Sequence, residues 1–187
     1  MAESAQNAAP TTHEIRLASP ADAEQMAILG AQVFAATYGH SVAAEDLQEY
    51  LDQNYSANAV LEDIKDANKS IFVASDQHGK IVGYMYMTRG TSETCIAGVT
   101  NKIEMERLYV LPSVHWMGIG RLLAQDGEAF ARKQGATHIW LGVWEHNERA
   151  YRVYERWGYL PVGEHMFSIG TAAQRDIIML KKLDGIA

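Results

Sequence analysis

The sequence has few of the features that mark secreted, membrane-spanning or nucleic-acid-binding proteins. A single cysteine, Cys95, permits no internal disulfide, and the seven histidines lack the spacing of a zinc site. No apolar run approaches the roughly 18 residues that span a bilayer. Lys and Arg number 16 against 23 Asp and Glu, so the formal charge is -7, which disfavours a nucleic-acid partner. We therefore expect no metal, no membrane and no nucleic acid.

The composition that is present fits one globular domain. With 187 residues, 48% of them hydrophobic, the chain is long enough to bury a sizeable core. Residues 1–12 contain neither the basic nor the apolar stretch of a targeting signal, and we predict a disordered leader on a cytoplasmic protein. Residues 13–187 are predicted to form a single domain. The acidity suits a cationic substrate, although solubility alone also explains it.

Hydrophobic periodicity predicts an alternation of strands and helices. Strands are expected at 13–18, 70–75, 80–88, 103–111, 139–143, 159–169 and 175–183. Helices are expected at about 19–36, 42–54 and 57–67, after the glycines near 118, and after residue 147. Residues 89–102 are expected to be a loop. An early hairpin followed by a strand-helix-strand unit predicts an α/β fold, a mixed sheet with helices on both faces.

The most informative segment joins the strand at 103–111 to a helix through His115, Gly118 and Gly120. Two closely spaced glycines that open a helix leave several backbone N–H groups unpaired at the positive end of the helix dipole. This pattern is typical of a phosphate-binding site, although a turn that needs only the freedom of glycine remains the alternative. Leu123 replaces the third glycine of a dinucleotide loop, and the Gly-Lys-Ser/Thr of nucleotide triphosphate loops is absent.

The helix after these glycines has an apolar stripe and an unusual internal glycine. Ile119, Leu122, Leu123 and Phe130 fall on one predicted face. Gly127 costs a helix about 1 kcal/mol relative to Ala, so we expect it to allow close packing against the sheet.

A second segment, 147–159, decides between these alternatives. Together the two segments resemble the GNAT N-acetyltransferase superfamily, whose pattern is Arg/Gln-x-x-Gly-x-Gly/Ala, a strand, and Asn-x-x-Ala-x-x-x-Tyr-x-x-x-Gly-Phe/Tyr. The matching residues are Gly118, Gly120, Asn147, Ala150, Tyr154, Gly158 and Tyr159. The resemblance runs in order from about residue 13 to residue 183. One departure is His115, which replaces the usual Arg or Gln.

The resemblance implies a mostly antiparallel sheet whose central strands splay apart to admit acetyl-coenzyme A (acetyl-CoA) as co-substrate, without a metal. In relatives, residues at the positions of Leu108 and Val110 pair with the pantetheine arm like an added strand, and Asn147 contacts that arm. The residues predicted to bind acetyl-CoA are Leu108, Tyr109, Val110, His115, Trp116, Met117, Gly118, Ile119, Gly120, Arg121, Asn147, Ala150 and Tyr154.

Acetyl transfer to an amine needs a base and an acid. A lysine-like amine with a pKa near 10.4 is only about one part in a few thousand neutral at pH 7. Glu104 and Glu106 project to one face of their strand and are the candidate bases, unless both lie on a solvated strand end. Tyr154 is the candidate acid for the departing thiolate; taken alone, it reads as a core tyrosine. A backbone N–H of Leu108 or a neighbour is expected to meet the developing oxyanion.

The acceptor is indicated by four further segments. Residues 37–41, 45–52, 140–147 and 163–170 look similar to bacterial spermidine/spermine N-acetyltransferases. Glu45, Glu49 and Asp52 share a predicted helix face that attracts a polycation or is simply solvated. We expect a polyamine acceptor. The alternatives are another small amine, a peptide amine, or a non-catalytic acyl-CoA-binding regulator. Relatives commonly form a homodimer through the last strands.

Overall fold

A computed structural model describes residues 13–184, so the predicted leader at 1–12 lies outside the described residues. The strands are β1 (Glu14–Leu17), β2 (Lys69–Ser75), β3 (Ile81–Thr88), β4 (Lys102–Val110), β5 (His138–Trp144), β6 (Leu160–Ile169) and β7 (Ala172–Lys182). The helices are α1 (Ala23–Tyr38), α2 (Ala44–Asn54), α3 (Ala57–Lys65), α4 (Ile119–Lys133) and α5 (Glu148–Arg156). Among residues 13–184, no helix is both long and apolar enough to cross a membrane.

All seven strands join one mixed sheet in the order β1-β2-β3-β4-β5-β7-β6. Neighbours are antiparallel except β4 and β5, whose connection through α4 makes them parallel. That parallel pair is short: only Lys102 to Glu104 align with His138 to Trp140, although β4 continues to Val110 and β5 to Trp144. The two central strands therefore separate beyond Glu104, and the predicted splayed mixed sheet is confirmed.

A bulge in β4 lies at the start of this separation. The register between β3 and β4 shifts from Tyr86 opposite Arg107 to Met87 opposite Met105, so Glu106 is the additional residue. A bulge bends its strand and increases the local twist. We attribute the divergence of β4 from β5 to this inserted residue, which lies two residues beyond Glu104, the last residue of β4 that pairs with β5.

The helices cover both faces of the sheet. α4 and α5 pack over a core that contains Ile103, Met105 and Leu141, while α1 and α3 pack on the opposite face around Tyr84 and Tyr86. Helices on both faces were predicted and are confirmed.

Gly127 allows α4 to approach the sheet closely. A Cβ at this position would lie 2.5 Å from the terminal methyl of Met85 and 3.1 Å from the sulfur of Met87. The expected close packing is confirmed. One member of the predicted apolar stripe differs: Ile119 and Leu123 are buried, but Leu122 is 42% exposed because it faces away from the sheet.

Other element boundaries differ by a few residues. The chain makes a short 3-10 turn at Pro20–Asp22 before α1 begins at Ala23. The buried Asp22 accepts hydrogen bonds from Arg16 and from Ser19. The Arg16 guanidinium is the main reason that the pKa of Asp22 falls to about 2. The predicted loop at 89–102 includes a short 3-10 turn at Thr94–Ile96, and its last residue begins β4.

Candidate active site

The gap between β4 and β5 opens into two cavities that share a wall. The larger cavity has a volume of about 620 Å³ and lies among β4, the start of α4, and α5. The smaller has a volume of about 290 Å³ and lies beneath α1 and α2. The residues that line both are Val33, Thr37, Leu108, Asn147, Ala150 and Tyr154. A ligand in either cavity can therefore contact a ligand in the other.

The glycine loop forms the mouth of the larger cavity. Trp116 and Gly118 both adopt left-handed backbone conformations, with φ of +72° and +80°. Left-handed residues next to a helix start direct successive N–H groups to one side, which is a recurring anion-binding arrangement. The first backbone N–H engaged at the start of α4 is that of Leu122, which bonds to the carbonyl of Gly118 at 3.0 Å. The N–H groups of the first turn remain available to a ligand.

The two glycines of this loop have different roles. Gly118 needs its positive φ, which a side chain rarely adopts. At Gly120, an added Cβ would meet only Val110 at 3.7 Å and Trp157 at 3.9 Å, which is ordinary contact. The fold therefore tolerates a side chain at Gly120, and the open space there belongs to the cavity.

The charged residues that line the larger cavity are all basic or potentially basic. They are His115, Arg121, Arg149 and Arg156, and no carboxylate is among the described lining residues. The guanidinium of Arg149 lies 4.7 Å from the centre of the Trp116 ring at the cavity mouth. In a chain with a formal charge of -7, this local excess of arginine favours a phosphate-bearing ligand.

His115 has a structural contact of its own. Its Nε2 donates a hydrogen bond to the carbonyl of Val110 at 3.0 Å, which ties the glycine loop to the end of β4. The side chain that replaces the family's Arg or Gln therefore holds the loop. This hydrogen bond uses the carbonyl of Val110, one of the two β4 residues that were predicted to pair with the co-substrate.

The free edge of β4 faces the splay. The backbone N–H of Leu111 donates a hydrogen bond to the carbonyl of Val82 in the neighbouring strand β3, at 2.9 Å. Because backbone direction alternates along a strand, the N–H and C=O groups of Leu108 and Val110 point away from β3 and into the gap. This edge can accept an extended ligand as though it were another strand.

Asn147 and Ala150 shape the wall that the cavities share. Asn147 is the N-cap of α5, and its side-chain oxygen accepts the N–H of Ala150 at 3.2 Å. Its amide nitrogen is left for other partners. The small side chain of Ala150 keeps the passage between the cavities open, since a longer one would enter both.

Tyr154 lies on the same wall, one turn further along α5. Its ring is held by edge contacts with Trp157 at 5.8 Å and Tyr159 at 5.9 Å. Burial, followed by the nearby Tyr109, raises the pKa of its phenol well above the ordinary value. Within residues 13–184 its hydroxyl has no hydrogen-bond partner. Tyr154 therefore remains protonated at neutral pH and is a hydrogen-bond donor at the junction.

The smaller cavity is walled by aromatic side chains. The Tyr38 ring lies 4.9 Å from Trp144 and 5.9 Å from Phe167, and Phe34 stacks on Tyr50 at 4.7 Å. Tyr38, Trp144 and Phe167 come from three of the segments that resemble polyamine acetyltransferases. Residues distant in sequence therefore converge on one pocket.

Glu106 lines the smaller cavity and is surrounded by partners. It accepts a hydrogen bond from the Thr88 hydroxyl at 2.6 Å, and Lys69 lies 3.3 Å from its other oxygen. Arg107 lies 3.8 Å from the same carboxylate and also pairs with Asp63 at 3.5 Å. The charge of Glu106 is therefore well compensated.

Glu104 occupies the same face of β4 but lines neither cavity. Burial is the main reason that the pKa of its carboxyl rises to about 7, with smaller contributions from the charges of Glu106 and Glu93. It therefore changes protonation in the neutral range, where a base for amine chemistry is most effective.

Asp176 is a site residue that the sequence reasoning missed. It lies on β7 opposite Trp144 and lines the smaller cavity. Its Oδ1 is buried without a hydrogen-bond partner, and burial raises the pKa of the carboxyl to about 6. The signal available in the sequence was spacing: Gln174, Asp176 and Ile178 are two residues apart and so share one face of the strand. The structure shows that Gln174 and Ile178 are buried on that face.

Other predicted residues lie elsewhere. Tyr109 lines the smaller cavity, where its hydroxyl bonds to that of Tyr55 at 2.6 Å, and Met117 lines neither cavity. The acidic residues of α2 lie outside both cavities; Glu49 and Asp52 accept hydrogen bonds from glutamines of their own helix. In the described part of the chain, no three His, Cys, Asp or Glu side chains are placed to hold a metal.

Comparisons with known proteins agree with this geometry. Residues 34–159 match the Acetyltransferase (GNAT) family. The chain is 31% identical over 162 residues to an uncharacterized N-acetyltransferase of Mycobacterium tuberculosis, covering 87% of this chain and 98% of that protein. It is 22% identical over 174 residues to the spermidine N(1)-acetyltransferase of Thermoplasma acidophilum, covering 91% and 98%.

A solved structure of the same fold contains coenzyme A. PaiA N-acetyltransferase of Thermoplasma acidophilum in complex with coenzyme A superimposes with a TM-score of 0.73 at 22% identity, covering 91% of this chain and 99% of that one. The chain described here belongs to the GNAT family of acetyltransferases. It is an N-acetyltransferase that uses acetyl-CoA, and the basic cavity with its N–H cradle fits that co-substrate.

Proposed function

We propose that this enzyme acetylates a primary amine of a small cationic acceptor, with a polyamine such as spermidine favoured. The observation that carries the proposal is the smaller cavity, whose aromatic walls enclose the carboxylates Glu106 and Asp176. Aromatic faces attract cations, and carboxylates bind ammonium groups through charge-assisted hydrogen bonds. The similarity to a spermidine acetyltransferase supports the same acceptor class.

The residues of the larger cavity are proposed to hold the co-substrate. When bound, acetyl-CoA supplies its acetyl group as a thioester. The loop N–H groups from Gly118 to Arg121 and the neighbouring arginines bind phosphate, and the exposed edge of β4 at Leu108 and Val110 holds the extended arm. The Leu108 N–H donates to the carbonyl oxygen as negative charge develops there.

Acid and base roles are proposed for residues on opposite sides of the junction. Tyr154 donates from its phenol toward the departing sulfur, and its raised pKa favours a hydrogen bond over complete proton transfer. Glu106, which lines the acceptor cavity, meets the amine. Glu104, with a pKa of about 7, lies on the same face of β4 outside the cavity and is the second candidate base.

We also propose a cytoplasmic homodimer that forms through β6. This ten-residue strand is an edge of the sheet, and it exposes Leu160, Val162 and Met166 by 67%, 40% and 57%. A long apolar edge favours pairing with another chain. The exposed thiol of Cys95 suits a reducing compartment.

Measurement of thiol release from acetyl-CoA with a panel of amines tests the function. The panel contains spermidine, 1,4-diaminobutane, 1-aminobutane and a short peptide with a free N-terminus, and Tyr154→Phe is the control enzyme. We expect the highest kcat/KM with spermidine or the diamine. A preference for the peptide would overturn the polyamine assignment, and no release with any amine would overturn amine acetylation.

A further inference from the structure

The two carboxylates of the acceptor cavity lie on opposite walls. Glu106 belongs to β4 and Asp176 to β7, and the gap between the splayed strands separates them. Asp176 reaches the cavity over Gly142 of β5, where an added Cβ would lie only 3.0 Å from its Oδ2. The glycine therefore leaves the carboxylate accessible from the cavity.

The surroundings of these carboxylates differ in charge. Glu106 has Lys69, Arg107 and the Thr88 hydroxyl as partners. The carboxylate of Asp176 forms no ion pair and no hydrogen bond with any residue between 13 and 184, and its Oδ1 is buried. The next residue, Arg175, pairs instead with Glu145 and Glu164. The cross-strand neighbour of Asp176 on β6, His165, is hydrogen-bonded to Glu93. A buried carboxylate without compensation is costly unless a ligand supplies the missing cation.

The walls next to Asp176 suit an ammonium group. Trp144 is its cross-strand neighbour, and the ring of Trp144 contacts that of Tyr38. The charge of Asp176 raises the pKa of the Tyr38 phenol further, after the larger effect of burial, so the two groups lie close together. A cation there would meet a carboxylate and aromatic rings at once.

Asp176 is nevertheless not part of the junction where the two cavities meet. It is absent from the wall shared by the two cavities, where Tyr154 and Leu108 lie. The carboxylate on the β4 wall, Glu106, is only two residues before Leu108 along the strand. An amine at the junction is therefore adjacent to the β4 wall, and a second positive charge on the same molecule can extend to the β7 wall.

We propose that Asp176 is the binding site for a second ammonium group of the acceptor, so that the preferred substrates carry two basic nitrogens. This inference rests on the proposed function and adds to it the residue that distinguishes diamines from monoamines. Asp176 is a specificity residue in this scheme, and it takes no part in the transfer itself.

The test compares diamines with monoamines of equal length in the absence of acetyl-CoA. Calorimetric titrations use 1,4-diaminobutane against 1-aminobutane and 1,8-diaminooctane against 1-aminooctane. We expect the parent enzyme to bind at least one diamine roughly tenfold or more tightly than its monoamine. Asp176→Asn should reduce that preference to less than about threefold through loss of diamine affinity alone.

A matched control removes a charge outside the cavity. Glu164→Gln on the neighbouring β6 alters an exposed carboxylate and should keep the parental preference. Coenzyme A affinity reports folding, because Asp176 does not line the larger cavity and Asp176→Asn should bind coenzyme A as the parent does.

The outcomes separate this inference from the proposed function. Equal parental affinity for each matched pair, no binding of any of these amines, or an unchanged preference in Asp176→Asn would overturn it. If Asp176→Asn lost affinity for the diamine and the monoamine equally, the reacting nitrogen would lie at Asp176, and this result would also overturn the inference. Thiol release with a monoamine would leave the acetyltransferase function standing in each of these cases.

Discussion

The two cavities of this enzyme meet at Tyr154, but they are built in different ways. The larger is formed mainly by two continuous stretches, 108–121 and 147–157, and it presents backbone N–H groups and basic side chains. The smaller is lined by residues from seven elements, with single residues from α2, β6 and β7, and it contains Glu106, Arg107 and Asp176. A site that uses backbone groups leaves a local glycine pattern in the sequence, whereas a pocket assembled from many distant segments leaves no single local pattern.

The largest effect is expected where the cavities join. Tyr154→Phe removes a hydroxyl that has no other partner in the described structure, so the fold should be retained. If the phenol assists departure of the sulfur, kcat should fall roughly 10²-fold to 10⁴-fold with coenzyme A affinity nearly unchanged. Steady-state kinetics combined with calorimetry measure both quantities. Turnover at the parental rate would remove Tyr154 as the acid.

The next comparison separates the two β4 glutamates. If Glu106 meets the amine as proposed, Glu106→Gln should lower kcat/KM roughly tenfold to 100-fold at neutral pH. The deficit should shrink toward pH 10 as more amine arrives neutral. A deficit that stays constant from pH 7 to 10 would instead indicate that Glu106 only positions the substrate.

Glu104 gives a different pH signature. Its pKa is raised to about 7, so as a base it loses function when the pH falls through 7 and it becomes protonated. In the parent enzyme the pH profile of kcat/KM should then decline below about pH 7, and Glu104→Gln should remove this acidic limb of the profile. Persistence of the limb in the variant would exclude Glu104 as its origin.

The larger cavity is tested at Gly120, where a side chain has room. Gly120→Asp places a negative charge where we propose that phosphate binds, and it should weaken acetyl-CoA binding at least about tenfold. Gly120→Ala is the matched control for size without charge and should have a smaller effect. An acidic residue in the first turn favours the helix, so folding should hold. Unchanged affinity in folded Gly120→Asp would contradict the phosphate cradle.

How far the sequence predicted the structure follows the same division. The glycine loop and α5 were predictable because turn glycines and a continuous sequence pattern are local signals. The sequence also indicated that Glu104 and Glu106 share a face. It did not indicate the bulge at Glu106 or the three-residue β4–β5 pairing, because both depend on neighbouring strands.

Only part of the proposed acceptor pocket was predicted from the sequence, and the failure to predict Asp176 has a physical reason. The sequence left open whether Glu45, Glu49 and Asp52 on α2 attract a polycation or are simply solvated, and the structure places all three outside both cavities. Of the two carboxylates that do line the pocket, Glu106 was already a candidate, whereas Asp176 lies on a strand inserted between β5 and β6. Only the sheet order brings that strand to the pocket, and local periodicity carries no information about sheet order.

Asp176 should also reduce the stability of the enzyme. Burial raises its pKa from 3.8 to about 6, so the ionised form costs the fold stability above pH 6 and nothing below 3.8. Asp176→Asn should raise the free energy of unfolding by about 1 to 3 kcal/mol at pH 7, and the gain should vanish near pH 3.5.

Urea denaturation at the two pH values measures this difference. The other ionisable groups that line the cavity are Glu106, Arg107 and the phenols of Tyr38, Tyr50, Tyr55, Tyr109 and Tyr154, and His165 is the neighbour of Asp176 on β6; all are common to both proteins. They therefore cancel when the variant is compared with the parent. A variant no more stable than the parent at pH 7 would show that the buried carboxylate is already compensated.

The smallest effect is expected at His115, in the cavity that relies on backbone. Its Nε2 bonds to the Val110 carbonyl, so His115→Ala removes a tether of the loop and leaves the N–H cradle in place. Acetyl-CoA affinity should change less than about tenfold, in line with a single hydrogen bond or an exposed charge at a helix start. If His115 instead acts as a cation on phosphate, parental affinity should fall more steeply with rising salt concentration than that of the variant. Titrations at several salt concentrations therefore distinguish a loop tether from a phosphate ligand, and an equal salt dependence in both proteins supports the tether.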